Sequence, residues 1–163
     1  MLIRAAQTAD ANAISQLLTS SWHRTYDALM GVDRVNEITS SSHAADILVA
    51  EINDSSILIL VAIDHSGAVT GVVKIQNRAA GELYLDRLHI APDAFGTGLA
   101  DQLLDAAITA SGQYQTMSLE VLAGNQHAIA YYLKRGFVET AKLDACGTAL
   151  GVPTLLMTKS FSK

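Results

Sequence analysis

The sequence is poor in cysteine and in charged residues. Cys146 is the single cysteine among 163 residues, which excludes an internal disulfide and a metal cluster built on several cysteines. Only 17% of the residues are charged and 50% are hydrophobic, a composition that excludes a disordered chain. The apolar run 57–63 is too short to span a bilayer, and the opening Met-Leu-Ile-Arg lacks the apolar core of a signal peptide. We therefore expect a cytoplasmic protein without a membrane partner.

Positive charge is also scarce, and this bears on partners. The net charge is −5, and the 11 lysines and arginines form no cluster that could neutralise nucleic-acid phosphates, so we expect no nucleic-acid partner. The histidines lack the spacing of metal ligands, and we predict no metal.

The length suits a single domain, residues 1–163, with a sizeable core. The positive mean hydropathy of +0.25 is consistent with a homodimer.

Hydrophobic periodicity predicts the order β-α-α-β-β-β-α-β-α-β-β, a mixed α/β sheet. Strict alternation of strands and helices is absent, which disfavours a doubly wound nucleotide-binding fold. Thr8 is expected to cap the first helix and the serines at 40–42 the second, with a loop and a short helix over 26–39 between them. The predicted strands cover residues 2–6, 57–63, 69–75, 83–90, 117–122, 137–143 and 154–158.

The most informative segment follows the predicted strand 83–90. After Pro92 comes a glycine-bearing turn, and the turn opens into a helix that begins between Gly96 and Ala100. The first N–H groups of a helix lack intrahelical partners and form its positive end, so they favour an anion. Gly96 and Gly98 have no Cβ, which lets a phosphate approach the backbone. Our hypothesis is a site for the diphosphate of a coenzyme, and the alternative is a tight strand-to-helix joint.

Two common nucleotide motifs do not fit this turn. A dinucleotide fingerprint requires a third glycine three residues after the second, and Asp101 stands there, whose charge would repel a diphosphate. A P-loop requires Gly-Lys-Ser/Thr, a tripeptide that the chain does not contain.

A second segment, residues 124–137, has the signals of a well-defined helix. Asn125 can cap its start, and Gly136 can take the left-handed position after its end. Ala128 and Tyr132 lie four residues apart and share a face. The simpler interpretation is a packing helix whose tyrosines fill space.

Together the two segments resemble the GNAT superfamily of acyl-CoA-dependent N-acyltransferases. The family signature Gln/Arg-x-x-Gly-x-Gly/Ala follows a Leu-x-Val-x-Pro strand; here Leu88 to Pro92 match the strand, and Gly98 and Ala100 the last two signature positions. The second family motif is met at Asn125, Ala128, Tyr131, Tyr132, Gly136 and Phe137. The resemblance covers the whole chain and implies a GNAT-like α/β fold: about seven mostly antiparallel strands, a central parallel pair splayed apart, and four flanking helices.

The resemblance also implies where acetyl-CoA, the cosubstrate, binds. The backbone of the strand would pair with the pantetheine, the turn would hold the diphosphate, and the start of the second helix would lie beside the same arm. The residues so implied are Leu88, His89, Ile90, Phe95, Gly96, Thr97, Gly98, Leu99, Ala100, Asn125 and Ala128.

One position departs from the family signature. Phe95 stands where the family has Gln or Arg, and it cannot donate a hydrogen bond to phosphate. The Thr97 hydroxyl is a candidate substitute. A charge-assisted hydrogen bond contributes about 1.5–3 kcal/mol, so its loss is expected to weaken coenzyme binding roughly tenfold to a hundredfold.

The implied reaction is direct attack of a primary amine, on a small molecule or a peptide, on the thioester. Tyr132 aligns with the family's general acid, the alternative being a buried packing tyrosine. Glu82 and Asp86, which share a strand face, are the candidate bases, and His89 is the third; each is otherwise a solvated or structural group. Tyr26 is expected to shape the acceptor pocket, whereas Trp22 is interpreted as packing.

Two other functions stay open from the sequence. An acyl-CoA-binding regulatory or structural domain with little catalysis is favoured by Phe95 and by the uncertain base, and opposed by Asn125 and Tyr132. A dimeric interaction protein without a coenzyme would require the glycine turn to be incidental.

Overall fold

The computed structural model describes residues 1–144 and 151–161, so Cys146 lies outside the described residues. The strands are β1 (Leu2–Ala5), β2 (Ile57–Ile63), β3 (Val69–Ala79), β4 (Glu82–Ile90), β5 (Thr116–Leu122), β6 (Val138–Leu143) and β7 (Thr154–Ser160). The α-helices are α1 (Ala11–Met30), α2 (Val32–Ser42), α3 (Ala45–Ile52), α4 (Leu99–Ser111) and α5 (Gln126–Lys134). Short 3₁₀ helices cover Thr8–Asp10 and Pro92–Ala94.

The seven strands form a mixed sheet with the order β1-β2-β3-β4-β5-β7-β6. β4 and β5 are parallel, and the ladders β1–β2, β2–β3, β5–β7 and β6–β7 are antiparallel. The described β4–β5 ladder joins residues 82–84 to residues 116–118, while β4 continues to Ile90. The predicted fold class is confirmed. No helix within the described ranges combines the length and the apolar character needed to cross a membrane.

The part of the chain that the structure describes contains five α-helices, one more than the four expected. The prediction of a loop with a short helix over 26–39 is wrong, because α1 continues to Met30 and α2 begins at Val32. Gly31, with φ +87°, separates the two helices. Val35 and Ile38, three residues apart, are buried on the inner face of α2.

The predicted helix caps at Ser40–Ser42 and Thr8 are also wrong. The three serines belong to the last turn of α2, where the Ser40 and Ser41 hydroxyls donate to the Glu37 carbonyl. A serine hydroxyl can donate to a carbonyl of the preceding turn as well as cap a following helix, and the first arrangement occurs here. At the first helix, the Asp10 carboxylate accepts from the backbone N–H of Gln7 at 2.8 Å.

Contacts divide the chain into two compact units. The first comprises Met1–Gln76 and Arg87–Gly112, and the second comprises Asn77–Asp86 and Gln113–Lys163. The single domain expected over residues 1–163 stays a prediction.

The first unit has its core where α1 and α3 pack on β2 and β3. The buried side chains of this cluster are Ala11, Ile14, Leu17, Leu18, Leu48, Ile59, Val61 and Val72. On β3, Gly71 lies against α4, and a Cβ there would be 2.7 Å from Leu103 Cδ1. Glycine at this position therefore allows α4 to approach the strand closely.

In the second unit, β7 pairs with β5 along its whole length, from Thr116↔Ser160 to Leu122↔Thr154. Met117, Leu119 and Met157 on these strands are at most 1% exposed. Phe137, directly after α5, is also 1% exposed. These side chains form the apolar centre of the unit.

A partly buried ion cluster ties α3 to two strands within the first unit. Glu51 on α3 accepts from Lys74 Nζ at 2.7 Å and from Arg87 Nη1 at 2.6 Å. Arg87 Nη2 also donates to the Ser42 carbonyl at 3.2 Å. All three charged side chains are at most 16% exposed, so each depends on the others to compensate for lost hydration.

Replacing Glu51 by Gln should lower the free energy of unfolding by about 3 kcal/mol, because it leaves two cations with little access to water. Urea denaturation of the wild type and the variant measures this change. Glu37→Gln is the matched control, since Glu37 pairs with Arg34 at the surface, and it should change stability by less than about 1 kcal/mol. Equal losses in the two variants would contradict the structural role of Glu51.

Candidate functional site

The glycine turn leads from β4 into α4 within the first unit. The short helix Pro92–Ala94 comes first, and α4 then begins at Leu99 with Gly98 as its N-cap residue. Gly96 has φ +75° and Gly98 has φ +81°, backbone conformations that L side chains rarely adopt. The predicted helix start between Gly96 and Ala100 is confirmed.

The start of α4 has backbone donors without described acceptors. The first helical bond runs from the Gln102 N–H to the Gly98 carbonyl at 3.1 Å. The N–H groups of Gly98, Leu99 and Ala100 have no acceptor among the described hydrogen bonds. A Cβ built on Gly96 or Gly98 would meet no described atom within 4 Å. An anion could therefore reach these donors, although Asp101 adds a carboxylate to the first turn of α4.

Thr97 and Phe95, the two side chains of the turn, differ in hydrogen-bonding capacity and in exposure. The Thr97 hydroxyl donates to the Ala94 carbonyl at 2.6 Å, so its proton is used inside the turn. Phe95 is 51% exposed, and Arg24 Cζ on α1 lies 5.4 Å from the centre of its ring. Nothing in the signature motif indicates Arg24, because a local motif carries no information about a residue so distant in the chain.

At the end of β4, the side chains of Leu88, His89 and Ile90 are half-buried. His89 Nδ1 lies 2.8 Å from the hydroxyl oxygen of Ser21 on α1, a residue that is 5% exposed. This hydrogen bond fixes the orientation of the imidazole ring.

Tyr26 and Trp22 form an aromatic pair on α1. Tyr26 is 8% exposed, and its ring centre lies 4.6 Å from that of Trp22. His43 packs edge-on against Trp22 with 5.1 Å between the ring centres. These contacts agree with the interpretation of Trp22 as a packing residue, while an acceptor-binding role for Tyr26 stays a prediction.

In the second unit, α5 has the caps that its sequence indicates. Asn125 Oδ1 accepts from the Ala128 N–H at 3.2 Å. At the other end Gly136 has φ +89°, and the Phe137 N–H donates to the Tyr132 carbonyl at 3.0 Å. The helix boundaries therefore follow from local hydrogen bonds.

Tyr132 is half-buried near the end of α5. Its ring makes edge contacts with Tyr131 and Phe137, at centre-to-centre distances of 5.2 and 5.5 Å. Phe137 is buried, so the Tyr132 ring packs against a side chain of the apolar interior. Such an arrangement holds the phenol at the end of α5.

The two candidate bases on β4 have different environments. Glu82 is half-buried, and its Oε1 accepts from the Ser118 hydroxyl at 2.9 Å. Asp86 is exposed. Glu82 is thus the less exposed of the two carboxylates.

Tyr84 lies between these carboxylates in the sequence of β4 and is 7% exposed. Burial raises the pKa of its phenol above the usual value, and the carboxylates of Glu120 and Asp86 act in the same direction. Arg78, whose Cζ lies 3.3 Å from the centre of the ring, opposes this shift. The phenol is therefore neutral at physiological pH.

Within residues 1–144 and 151–161, no three histidine, cysteine, aspartate or glutamate side chains are grouped as metal ligands would be.

The comparisons with known proteins agree on one family. The model of the Acetyltransferase (GNAT) family matches residues 13–137, a range that includes both the glycine turn and α5. Among curated proteins, none matches the sequence significantly.

Solved structures show the same architecture. PaiA N-acetyltransferase from Thermoplasma acidophilum, in complex with coenzyme A, is similar with a TM-score of 0.84 and 20% identity, covering 98% of each chain. An aminoglycoside 6'-acetyltransferase type Ii has a TM-score of 0.75 and 16% identity, covering 100% of this chain and 99% of the other. The ribosomal-protein-alanine N-acetyltransferase from Brucella melitensis has a TM-score of 0.69 and 22% identity, covering 99% and 100%. At these identities the likeness shows the fold.

Proposed function

The chain belongs to the GNAT family of acetyltransferases, and on that premise we propose that it transfers an acetyl group from acetyl-CoA to a primary amine. The acceptor is a small molecule or a peptide. The observation that carries the proposal is the glycine turn, where three backbone N–H groups at the start of a helix have no described acceptor and a Cβ on either glycine would meet no described atom within 4 Å.

The turn fits the diphosphate of the coenzyme. The N–H groups of Gly98, Leu99 and Ala100 point out of the positive end of α4 and would donate to phosphate oxygens. The open space over Gly96 and Gly98 admits an anion that a side chain would exclude. Phe95 and Thr97 border this space, and the Thr97 hydroxyl would have to leave the Ala94 carbonyl in order to donate to phosphate.

The remaining coenzyme contacts are assigned to β4 and α5. β4 continues to Ile90, beyond the last described pair of its ladder with β5. Backbone groups of Leu88, His89 and Ile90 would form hydrogen bonds with the amides of the pantetheine arm. Asn125 and Ala128 in the first turn of α5 would contact the same arm.

When bound, acetyl-CoA supplies an acetyl thioester. The amine nitrogen forms a new C–N bond as the C–S bond breaks, so the nitrogen must lose a proton and the sulfur must gain one. An α-amino group, with a pKa of about 8, is more often neutral at pH 7 than a lysine, with a pKa of about 10.4. Glu82 or Asp86 takes the proton from the amine, with His89 as the third candidate.

Tyr132 donates the proton to the departing thiolate. A thiol with a pKa near 8.5, by analogy with cysteine, is a better leaving group when an acid protonates it. Two contacts support this role. Asn125 caps the start of α5, and Phe137 packs against the Tyr132 ring.

The acceptor is proposed only as a class. The similar solved structures include one named as an aminoglycoside acetyltransferase and one named as a ribosomal-protein-alanine acetyltransferase, so this fold serves small-molecule and protein amines. Tyr26 is our candidate for a residue that shapes the acceptor pocket.

One observation favours a second function, an acyl-CoA-binding domain with little catalysis. Phe95 occupies the signature position at which a Gln or Arg would donate to phosphate. A thiol-release assay across a panel of amines distinguishes the two functions: tight acetyl-CoA binding without thiol release supports the second.

We further propose that the two units act as one domain, in the cytoplasm, and that the protein forms a homodimer. Light scattering of the purified protein measures the oligomeric state. A monomer at every concentration would contradict the homodimer and leave the proposed reaction unaffected.

Gly98→Ala should weaken acetyl-CoA binding at least tenfold, because the alanine Cβ would occupy space that the diphosphate needs in order to reach the N–H donors. The variant should also lose about 1 kcal/mol of stability from the left-handed backbone. Gly112→Ala is the matched control at the other end of α4: Gly112 has φ +89° and no described atom within 4 Å of a built Cβ. Calorimetry should show unchanged affinity in the control, and equal affinities in both variants would contradict the site.

Tyr132→Phe should lower kcat about a hundredfold, the lower range for a general acid. The dissociation constant of acetyl-CoA should stay nearly the same, because the ring and its packing are retained. Tyr131→Phe is the matched control on the neighbouring position and should keep its turnover. If turnover of Tyr132→Phe equals that of the wild type, Tyr132 has no part in proton transfer.

The pH dependence of kcat/KM should show an inflection on its acidic side, where the base becomes protonated. Glu82→Gln or Asp86→Asn should remove this inflection and lower the rate on its alkaline side. Glu139→Gln, an exposed carboxylate on β6, serves as the control and should leave the profile unchanged. An inflection that survives in both Glu82→Gln and Asp86→Asn would rule out these carboxylates and direct the same test to His89→Gln.

A further inference from the structure

The signature position that lacks a phosphate-binding side chain has an arginine beside it. Phe95 stands at that position and is 51% exposed. Arg24 comes from the second half of α1, and its guanidinium carbon lies 5.4 Å from the centre of the Phe95 ring. This distance is within the range of a cation–π contact. A guanidinium is thus present next to the turn although the signature residue itself is aromatic.

The Arg24 guanidinium has no ion pair and no hydrogen bond among the residues that the structure describes. The nearest carboxylate along α1, Asp27, is bonded to His23 Nδ1 at 2.8 Å. Arg34, by comparison, pairs with Glu37, and Arg4 pairs with Asp10. The donors of Arg24 are therefore available to a ligand, while its guanidinium carbon stays within cation–π distance of the Phe95 ring.

We propose that Arg24 is the phosphate-binding cation of this protein and that Phe95 positions it. The inference rests on the proposed function and names a further binding residue of the same coenzyme site. The guanidinium donates in a bidentate manner to the diphosphate of acetyl-CoA, and the backbone N–H groups of Leu99 and Ala100 donate to the same group. The cation is supplied from α1 rather than from the signature position.

Charge in the turn explains why a cation is needed there. Asp101 places a carboxylate in the first turn of α4, which opposes the attraction of the helix end for an anion. Phe95 cannot compensate for this charge, and the Thr97 hydroxyl already donates to Ala94. Arg24 is the described cation in contact with a turn residue. Its positive charge offsets the Asp101 carboxylate and so favours binding of a phosphate.

Arg24→Gln tests the proposal in the full chain. The dissociation constant of acetyl-CoA should rise about tenfold to a hundredfold, the range for a charge-assisted hydrogen bond. KM for acetyl-CoA should rise in parallel while kcat stays within about twofold. Arg34→Gln makes the same charge change at a partly exposed position on α2 and should leave both constants unchanged. Equal affinities in Arg24→Gln and the wild type, or equal losses in the two variants, would overturn the proposal.

A rescue variant separates a lost contact from a damaged fold. Phe95→Arg puts the cation at the signature position, so the double variant Arg24→Gln/Phe95→Arg should regain affinity to within about threefold of the wild type. Failure of the rescue, together with an unchanged melting temperature of Arg24→Gln, would overturn the assignment of Arg24 as the phosphate ligand.

A comparison of two ligands shows which phosphate group of acetyl-CoA Arg24 contacts. With 3′-dephospho-acetyl-CoA, Arg24→Gln should lose affinity by the same factor as with acetyl-CoA if the contact is to the diphosphate. A loss seen only with acetyl-CoA would overturn the diphosphate assignment. Wild-type protein that binds neither compound would refute the proposed function itself, whereas tight wild-type binding with an unaffected Arg24→Gln variant would refute the role of Arg24 alone.

Discussion

The proposed coenzyme site depends on backbone N–H groups at the start of α4 that have no acceptor within the helix. Gly96 and Gly98 adopt left-handed conformations, which turn the chain from the end of β4 into α4 and leave no side chain over the donors. Because these donors lie at the positive end of a helix dipole, a phosphate is the natural acceptor. In the proposed function, the other assigned residues contact a coenzyme whose diphosphate is bound at this turn.

The surrounding contacts keep the elements of each unit in place. In the first unit, Glu51 joins α3 to Lys74 and Arg87 on neighbouring strands, and all three side chains are at most 16% exposed. In the second, Asn125 caps α5 and Phe137 packs on Tyr132. A site that must hold reacting groups at fixed positions benefits from such support, since small displacements reduce rates strongly.

The strands, the glycine turn and α5 were predictable because each has local signals: β-rich apolar runs, glycines at turns, and an Asn cap with a following Gly. The full extent of the second helix was not predictable, because residues 26–39 gave no clear hydrophobic period. The serines at its end also resemble the cap of a following helix. The Arg24–Phe95 contact joins residues far apart in sequence, so no motif could indicate it. The roles of Tyr132, Glu82 and Asp86 come from the family resemblance, and the structure adds their neighbours.

The most direct measurement of the central claim is a titration of ¹⁵N-labelled protein with acetyl-CoA, followed by the amide resonances of residues 96–100. The account predicts large, saturable downfield shifts for the N–H groups of Gly98, Leu99 and Ala100, because each gains a charged acceptor. Saturable binding in which these three amides keep their free positions would contradict it.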